Sequence, residues 1–212
     1  EIDNATRLIL NSKYDLGLFQ DPYKYCDVNR AKVEVYTKEN RAEARSIAAQ
    51  SLVLLKNTNQ LLPLKKSGTI ALIGPLADAK ENMAGTWSVA TKQENSISLL
   101  AGIKEIVGNN AKIQYAKGSN LTYNAKLEEQ ATMFGKTLHR DNRTDQELLD
   151  EAVKIANQSD VIIAALGESA EFSGESSSRT SIKIPQAQKD LLAALLKTGK
   201  PVVLVLFNGR PL

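Results

Sequence analysis

Three glutamates, Glu168, Glu171 and Glu175, follow directly on an apolar run, VIIAAL at 161–166, that closes at Gly167. An apolar strand that delivers carboxylates into a Gly/Ser-rich loop is a common way for an α/β protein to present reactive groups. A glutamate acting as a general acid near neutral pH needs its pKa raised, to around 6, by desolvation or by neighbouring negative charge. The three carboxylates can supply the second effect and a ligand closing over the loop the first, while Arg179 opposes both by favouring the ionised form. The competing picture is a solvated loop whose glutamates pair with Arg179 and Lys183, and composition alone favours that one.

Trp87 is the only tryptophan and lies in MAGTWSVAT, after the first strand of the rhythmic part of the chain. That position places it by the carboxyl edge of a sheet, the same edge as Glu168 to Glu175. An indole face beside carboxylates suits a sugar ring, whose CH groups stack on it, and it equally suits the packing of a loop. Other chemistries find no footing. The first strand is followed by GPLADAKENMAG rather than GxGxxG, and GxxxxGK[ST] is absent, so a nucleotide site lacks its phosphate cradle. His139 is the sole histidine and Cys26 the sole cysteine, which excludes a zinc cluster and an internal disulfide. No GxSxG elbow precedes a helix.

The elements that must position these groups are readable. The 212 residues are 42% hydrophobic and 24% charged, with a net charge of +3 that is not gathered into a basic block. Globular packing is therefore expected, and nucleic acid is a poor partner. No apolar run nears the ~18 residues needed to span a bilayer. Residues 1–13 read as the end of a helix, with Ala5, Leu8 and Ile9 on one face. YDLGLFQDPYKYCD reads as an irregular segment that closes a domain. From Thr37 to Lys56 a stripe of Ala44, Ile47, Ala48, Ser51, Leu52 and Leu55 predicts a helix capped by Thr37. TIALIG (69–74), 112–116, 161–166 and PVVLVLF (201–207) read as strands. Helices are predicted from Ser98 to Val107, stopped by Gly108, from the capping box Thr144–Glu147 through Asn157, and from a first turn at Pro185 to a close at Gly199. Continuous apolar strands alternating with capped helices imply an α/β fold, a mainly parallel sheet sandwiched between helices. The polar stretch 117–143 reads as an insertion holding a short helix. The chain opens on Glu1 rather than Met and stops just after a strand, so it is expected to be an internal piece of a longer protein.

KYDLGLFQDPY, RAEARSIAAQSLVLLKNTNQLLPL, TIALIGPLAD, GTWS, GESAEFSGESSSRTSIKIPQAQKDLL and TGKPVVLVLFNGRPL, in that order, resemble glycoside hydrolase family 3, and among its members the bacterial periplasmic β-glucosidases. The resemblance implies a division at 36/37. Residues 1–36 would be the closing helix and exit segment of a TIM-like barrel domain, and 37–212 an α/β sandwich domain, incomplete at its C-terminus. It implies a retaining mechanism whose nucleophile is an aspartate of the barrel, in a motif close to SDW that this chain lacks, so the chain alone is expected to be inactive. It implies the acid/base glutamate on the 168–175 loop, with Glu175, flanked by Ser173, Gly174 and Ser176, as the lead and Glu168 as the alternate. Trp87 and Arg179 would bind substrate. The implied partners are a β-linked glucoside or oligosaccharide and the parent's own barrel, without cofactor, metal or nucleic acid, in the periplasm. Monomer and homodimer both stay open, and so do β-xylosidase activity and a non-catalytic carbohydrate- or nucleotide-binding module.

Overall fold

A computed structural model describes residues 1–85, 87–88, 91–130, 139–175 and 177–212. The chain divides into two compact units, Glu1–Thr58 and Asn59–Leu212.

The first unit is helical: α1 (Ile2–Asp15), α2 (Arg30–Glu34) and α3 (Lys38–Ser51). Thr37 caps α3, its hydroxyl accepting from the Asn40 N–H at 3.2 Å. The helix is shorter than its apolar stripe suggests. The Ser51 hydroxyl turns back onto the Ala48 carbonyl at 2.8 Å, and Leu52 leaves in an extended conformation, φ −73° and ψ 131°. LVLLK at 52–56 is a short apolar run without its own period, and such a run suits an extended chain as well as a helix. Leu52 and Leu55 therefore lie outside the helix they were expected to complete.

The second unit is built on β1 (Gly68–Ile73), β2 (Ala111–Ala116), β3 (Val161–Gly167) and β4 (Val202–Phe207). Among the described residues these form one sheet in the order β2-β1-β3-β4, every pairing parallel. The connections run through α4 (Leu99–Val107), α6 (Asp145–Asn157) and α7 (Gln186–Lys197), with α5 (Ala125–Gln130) inside the polar insertion. The chain steps from β1 outward to β2, then crosses back past β1 to β3 and on to β4. With crossovers of one hand, that reversal puts the first helix on one face and the later two on the other. The core is divided accordingly. Ile70, Leu72, Ile163 and Ala165 share one cluster with Leu100 of α4. Ala71, Ile73, Ile162, Ala164 and Leu166 share another with Ala152 and Ala156 of α6 and Leu191 and Leu195 of α7. Alternate residues of the two central strands thus serve opposite layers, which is why both strands read as unbroken apolar runs. Each large aliphatic so buried contributes about 1.5–3 kcal/mol.

The helix ends follow their signals. Ser98 caps α4 by accepting from the Ala101 N–H and donates to Asp78 at 2.6 Å. Thr144 and Glu147 form the reciprocal capping box of α6. Pro185 precedes α7, and Gly199 follows it at φ +71°. No helix among the described residues is long and apolar enough to cross a membrane.

Candidate active-site loop at the carboxyl edge

In an open parallel sheet the binding crevice lies beyond the carboxyl ends of the strands where the strand order reverses, here between β1 and β3. Each of these ends is marked by a glycine. Gly74 has φ +136°, and a Cβ there would run into the Ala165 carbonyl. Gly167 has φ +137°, and a Cβ there would run into the Phe207 carbonyl. Only glycine takes this backbone conformation while letting the neighbouring strand approach so closely.

Gly167 is also held from below. Gln188, fully buried on the first turn of α7, accepts from the Gly167 N–H at 2.8 Å and donates to the Gly167 carbonyl and the Leu121 carbonyl, both at 2.9 Å. The next N–H, of Glu168, donates to the Phe207 carbonyl at 2.8 Å. The loop that follows thus departs from a peptide pinned on two sides.

The three glutamates have three different environments. Glu168 is buried, its side chain 0% exposed, with one carboxylate oxygen paired to the Arg179 guanidinium and the other accepting from Arg210 Nε at 3.0 Å. Glu171 is buried in the short helical turn Ala170–Phe172. Glu175 is exposed, in the turn after Gly174, whose φ of +108° sharpens the bend. The picture of a uniformly solvated loop therefore holds for Glu175 and fails for the other two. Arg179, on the far side of the loop, donates to Glu168 and to the Lys183 carbonyl at 2.8 Å. Its guanidinium fastens the loop to itself.

Trp87 lies 68% exposed in the segment after β1. That segment is tied to the glutamate loop directly: the Asn82 side-chain carbonyl accepts from the Ala170 N–H at 2.9 Å. The link, between residues 88 positions apart, brings the Trp87 and Glu175 segments to one edge. Ser176, counted among the small residues flanking Glu175, lies outside the described residues, as do Thr86 beside Trp87 and residues 131–138 of the polar insertion. Among the described residues no group of three or more His, Cys, Asp or Glu side chains is placed to hold a metal ion.

Sequence reasoning did not single out Arg210, Gln188 or Asn82. Arg210 stands in NGRPL and Gln188 opens an apolar helix. Nothing local to either points to the loop, because the contacts join residues 42 and 21 positions apart.

The relatives agree with this architecture. Residues 52–212 match the model of the glycosyl hydrolase family 3 C-terminal domain. The whole chain aligns with a periplasmic beta-glucosidase of Salmonella typhimurium at 48% identity, covering 28% of that protein. It aligns likewise with a beta-xylosidase of Formosa agariphila at 37% identity, covering 27% of that one. Among solved structures, a beta-glucosidase of Listeria innocua in complex with isofagomine superposes with a TM-score of 0.75 at 34% identity, over 96% of this chain and 25% of that one. The chain thus spans about a quarter of the length of these relatives. By the domain model, by identity over its full length and by superposition, it belongs to glycoside hydrolase family 3.

Proposed function

We propose that this chain supplies the acid/base half of a retaining, exo-acting β-glucosidase, with Glu175 as the acid/base residue. The observation that carries the assignment is the contrast between two carboxylates on one loop. Glu168 is sealed between two guanidiniums, whereas Glu175 is exposed at the turn. A general acid must meet the glycosidic oxygen, and then a water, so it has to be accessible. A carboxylate that is buried with both oxygens already taken by two arginines has no face open to a leaving group.

In this mechanism an aspartate of a separate barrel domain attacks the anomeric carbon while Glu175 protonates the departing oxygen. Glu175 then takes a proton from the water that releases the sugar. The two carboxyls have to come within about 5–5.5 Å of each other, so docking of the two domains sets the catalytic distance. Trp87, exposed on the tethered neighbouring segment, stacks on the leaving-group sugar, and Arg179 borders the same subsite. Residues 1–36 belong with the barrel and 37–212 with the sandwich domain. No cofactor enters. The match to a periplasmic relative supports placement in the periplasm. A β-xylosidase is the second reading, favoured by the 37% identity to a protein of that name, and it uses the same two carboxylates on a smaller sugar.

Leaving-group dependence in the full-length protein tests the assignment. Glu175→Gln lowers kcat/KM about 10²–10⁴-fold on an alkyl β-glucoside, which needs protonation, and far less on a 2,4-dinitrophenyl β-glucoside, which does not. The assignment fails if Glu168→Gln shows this pattern and Glu175→Gln does not. Turnover by the 212-residue chain alone would refute the two-domain mechanism.

A further inference from the structure

We propose that Arg210 is a positioning residue of this reaction, the fixed point against which the acid/base loop is registered. The inference rests on Glu175 as the acid/base residue. Arg210 lies beyond β4, outside the glutamate loop, and its side chain reaches into that loop at two places. Its Nε donates to Glu168 Oε2 at 3.0 Å and its Nη2 donates to the Phe172 carbonyl. The second oxygen of Glu168 is taken by Arg179 from the loop's far side. One buried carboxylate therefore joins the root of the loop, its far side and the segment after β4, while the Phe172 carbonyl fixes its middle. The run between Phe172 and Arg179, which carries Glu175, is held at both ends through this node.

The geometry uses the shape of arginine. The Nε and Nη2 groups address a carboxylate and a main-chain carbonyl together, as a planar fork. A lysine ammonium keeps the charge but lacks the fork, so Lys at this position answers Glu168 and releases Phe172. The charge is also needed where it stands. The Glu168 side chain is 0% exposed and that of Arg210 27%, and stripping a partner from a buried carboxylate leaves it poorly compensated. Small displacements of a reacting group through a distant substitution cost up to about 10²-fold in rate.

The test compares Arg210→Lys, Arg210→Met and Glu175→Gln in the full-length protein on an alkyl β-glucoside and a 2,4-dinitrophenyl β-glucoside. Both Arg210 variants should lose about 10- to 10²-fold in kcat/KM on the alkyl substrate and only a few-fold on the activated one. A purely structural role lowers the amount of folded enzyme and so scales both substrates equally. Equal losses, or none, overturn the positioning role. If Glu175→Gln shows the leaving-group signature and the Arg210 variants do not, the positioning role falls alone. If Glu175→Gln lacks the signature, the acid/base assignment falls and takes the positioning role with it.

Discussion

Replacing Gln188 by leucine should loosen the sheet at the root of the glutamate loop, by an amount that can be worked out from its bonds. Gln188 is fully buried and its amide meets the Gly167 N–H and the Gly167 and Leu121 carbonyls at 2.8–2.9 Å. Leucine has a similar volume and none of these bonds. Leaving three buried main-chain groups without this partner costs about 1–3 kcal/mol each. Against that, burying an aliphatic side chain in place of an amide returns about 1.5–3 kcal/mol, and ordered water can re-satisfy part of the rest. The net expectation is about 2–4 kcal/mol, a sizeable part of the 5–15 kcal/mol that usually holds a domain together. Amide hydrogen exchange of the Val161–Gly167 segment reads this directly, since amides of a buried central strand exchange through large-scale opening. At tenfold per ~1.4 kcal/mol, exchange there should speed up roughly 30- to 700-fold. Exchange unchanged within a factor of three would refute the idea that these bonds support the end of β3. Gln188→Glu provides the sign control. It keeps an acceptor for the Gly167 N–H but turns a carboxylate oxygen toward two carbonyls, so its folded-state pKa is raised. Relative to the native chain its stability is then greatest below the unfolded carboxyl pKa and declines as pH rises through the raised folded one.

Gly167→Ala should be more damaging than any neutral core trimming nearby, because φ of +137° and the close Phe207 carbonyl both exclude a Cβ. About 3 kcal/mol or more of destabilisation is expected from backbone strain and displaced β3–β4 pairing, read as a lowered urea midpoint; an unchanged midpoint would contradict it. The polar insertion carries a pH dependence. Hydrogen bonds from the Arg143 side chain and backbone pull Asp141 down to about 2, below its usual 3.8. A carboxylate lowered in the folded state stabilises above its unfolded pKa, and that contribution is lost as pH falls from about 4 to 2. Arg143 is 44% exposed and solvent screens the pair, so about 1 kcal/mol is at stake. Stability measured from pH 5 to 2 should therefore fall less steeply in Asp141→Asn than in the native chain, and identical slopes would exclude the pair as a cause.

Much of the fold was legible because its signals are local. Ser98, Thr144, Glu147, Pro185 and Gly199 each act within one helical turn, and the caps stand where these residue types predict them. The strands at 69–74, 161–166 and 201–207 announce themselves as apolar runs, 112–116 (KIQYA) alternates polar and apolar residues, and both core layers draw on them. The helix predicted to Lys56 ended at Ser51, since Leu52 to Leu55 satisfy a helical stripe and an extended run equally well. The site was legible as a place and not as an arrangement. Glu168, Glu171 and Glu175 have the same charge and similar surroundings in sequence. What separates them is burial, and for Glu168 it comes with pairing to Arg179 and to Arg210, which arrives from beyond β4.

The main chain explains why those distant groups converge. Gly74 at the end of β1 lies against the Ala165 carbonyl of β3, and Gly167 at the end of β3 lies against the Phe207 carbonyl of β4. The same device, repeated one strand further along, lets adjacent strands finish in close contact, so the segments after β1, β3 and β4 leave from one edge. Side chains then stitch what the backbone has gathered: Asn82 to Ala170 across the first pair, and Arg210 to Glu168 and Phe172 across the second. Those stitches take up Glu168 and a main-chain carbonyl and leave Glu175 at the turn, exposed. A loop built this way separates two demands that one carboxylate could not meet together. Glu168 pairs with the two arginines that hold the loop, and there it is buried. Glu175, proposed above as the acid/base residue, has to be reachable by substrate and water.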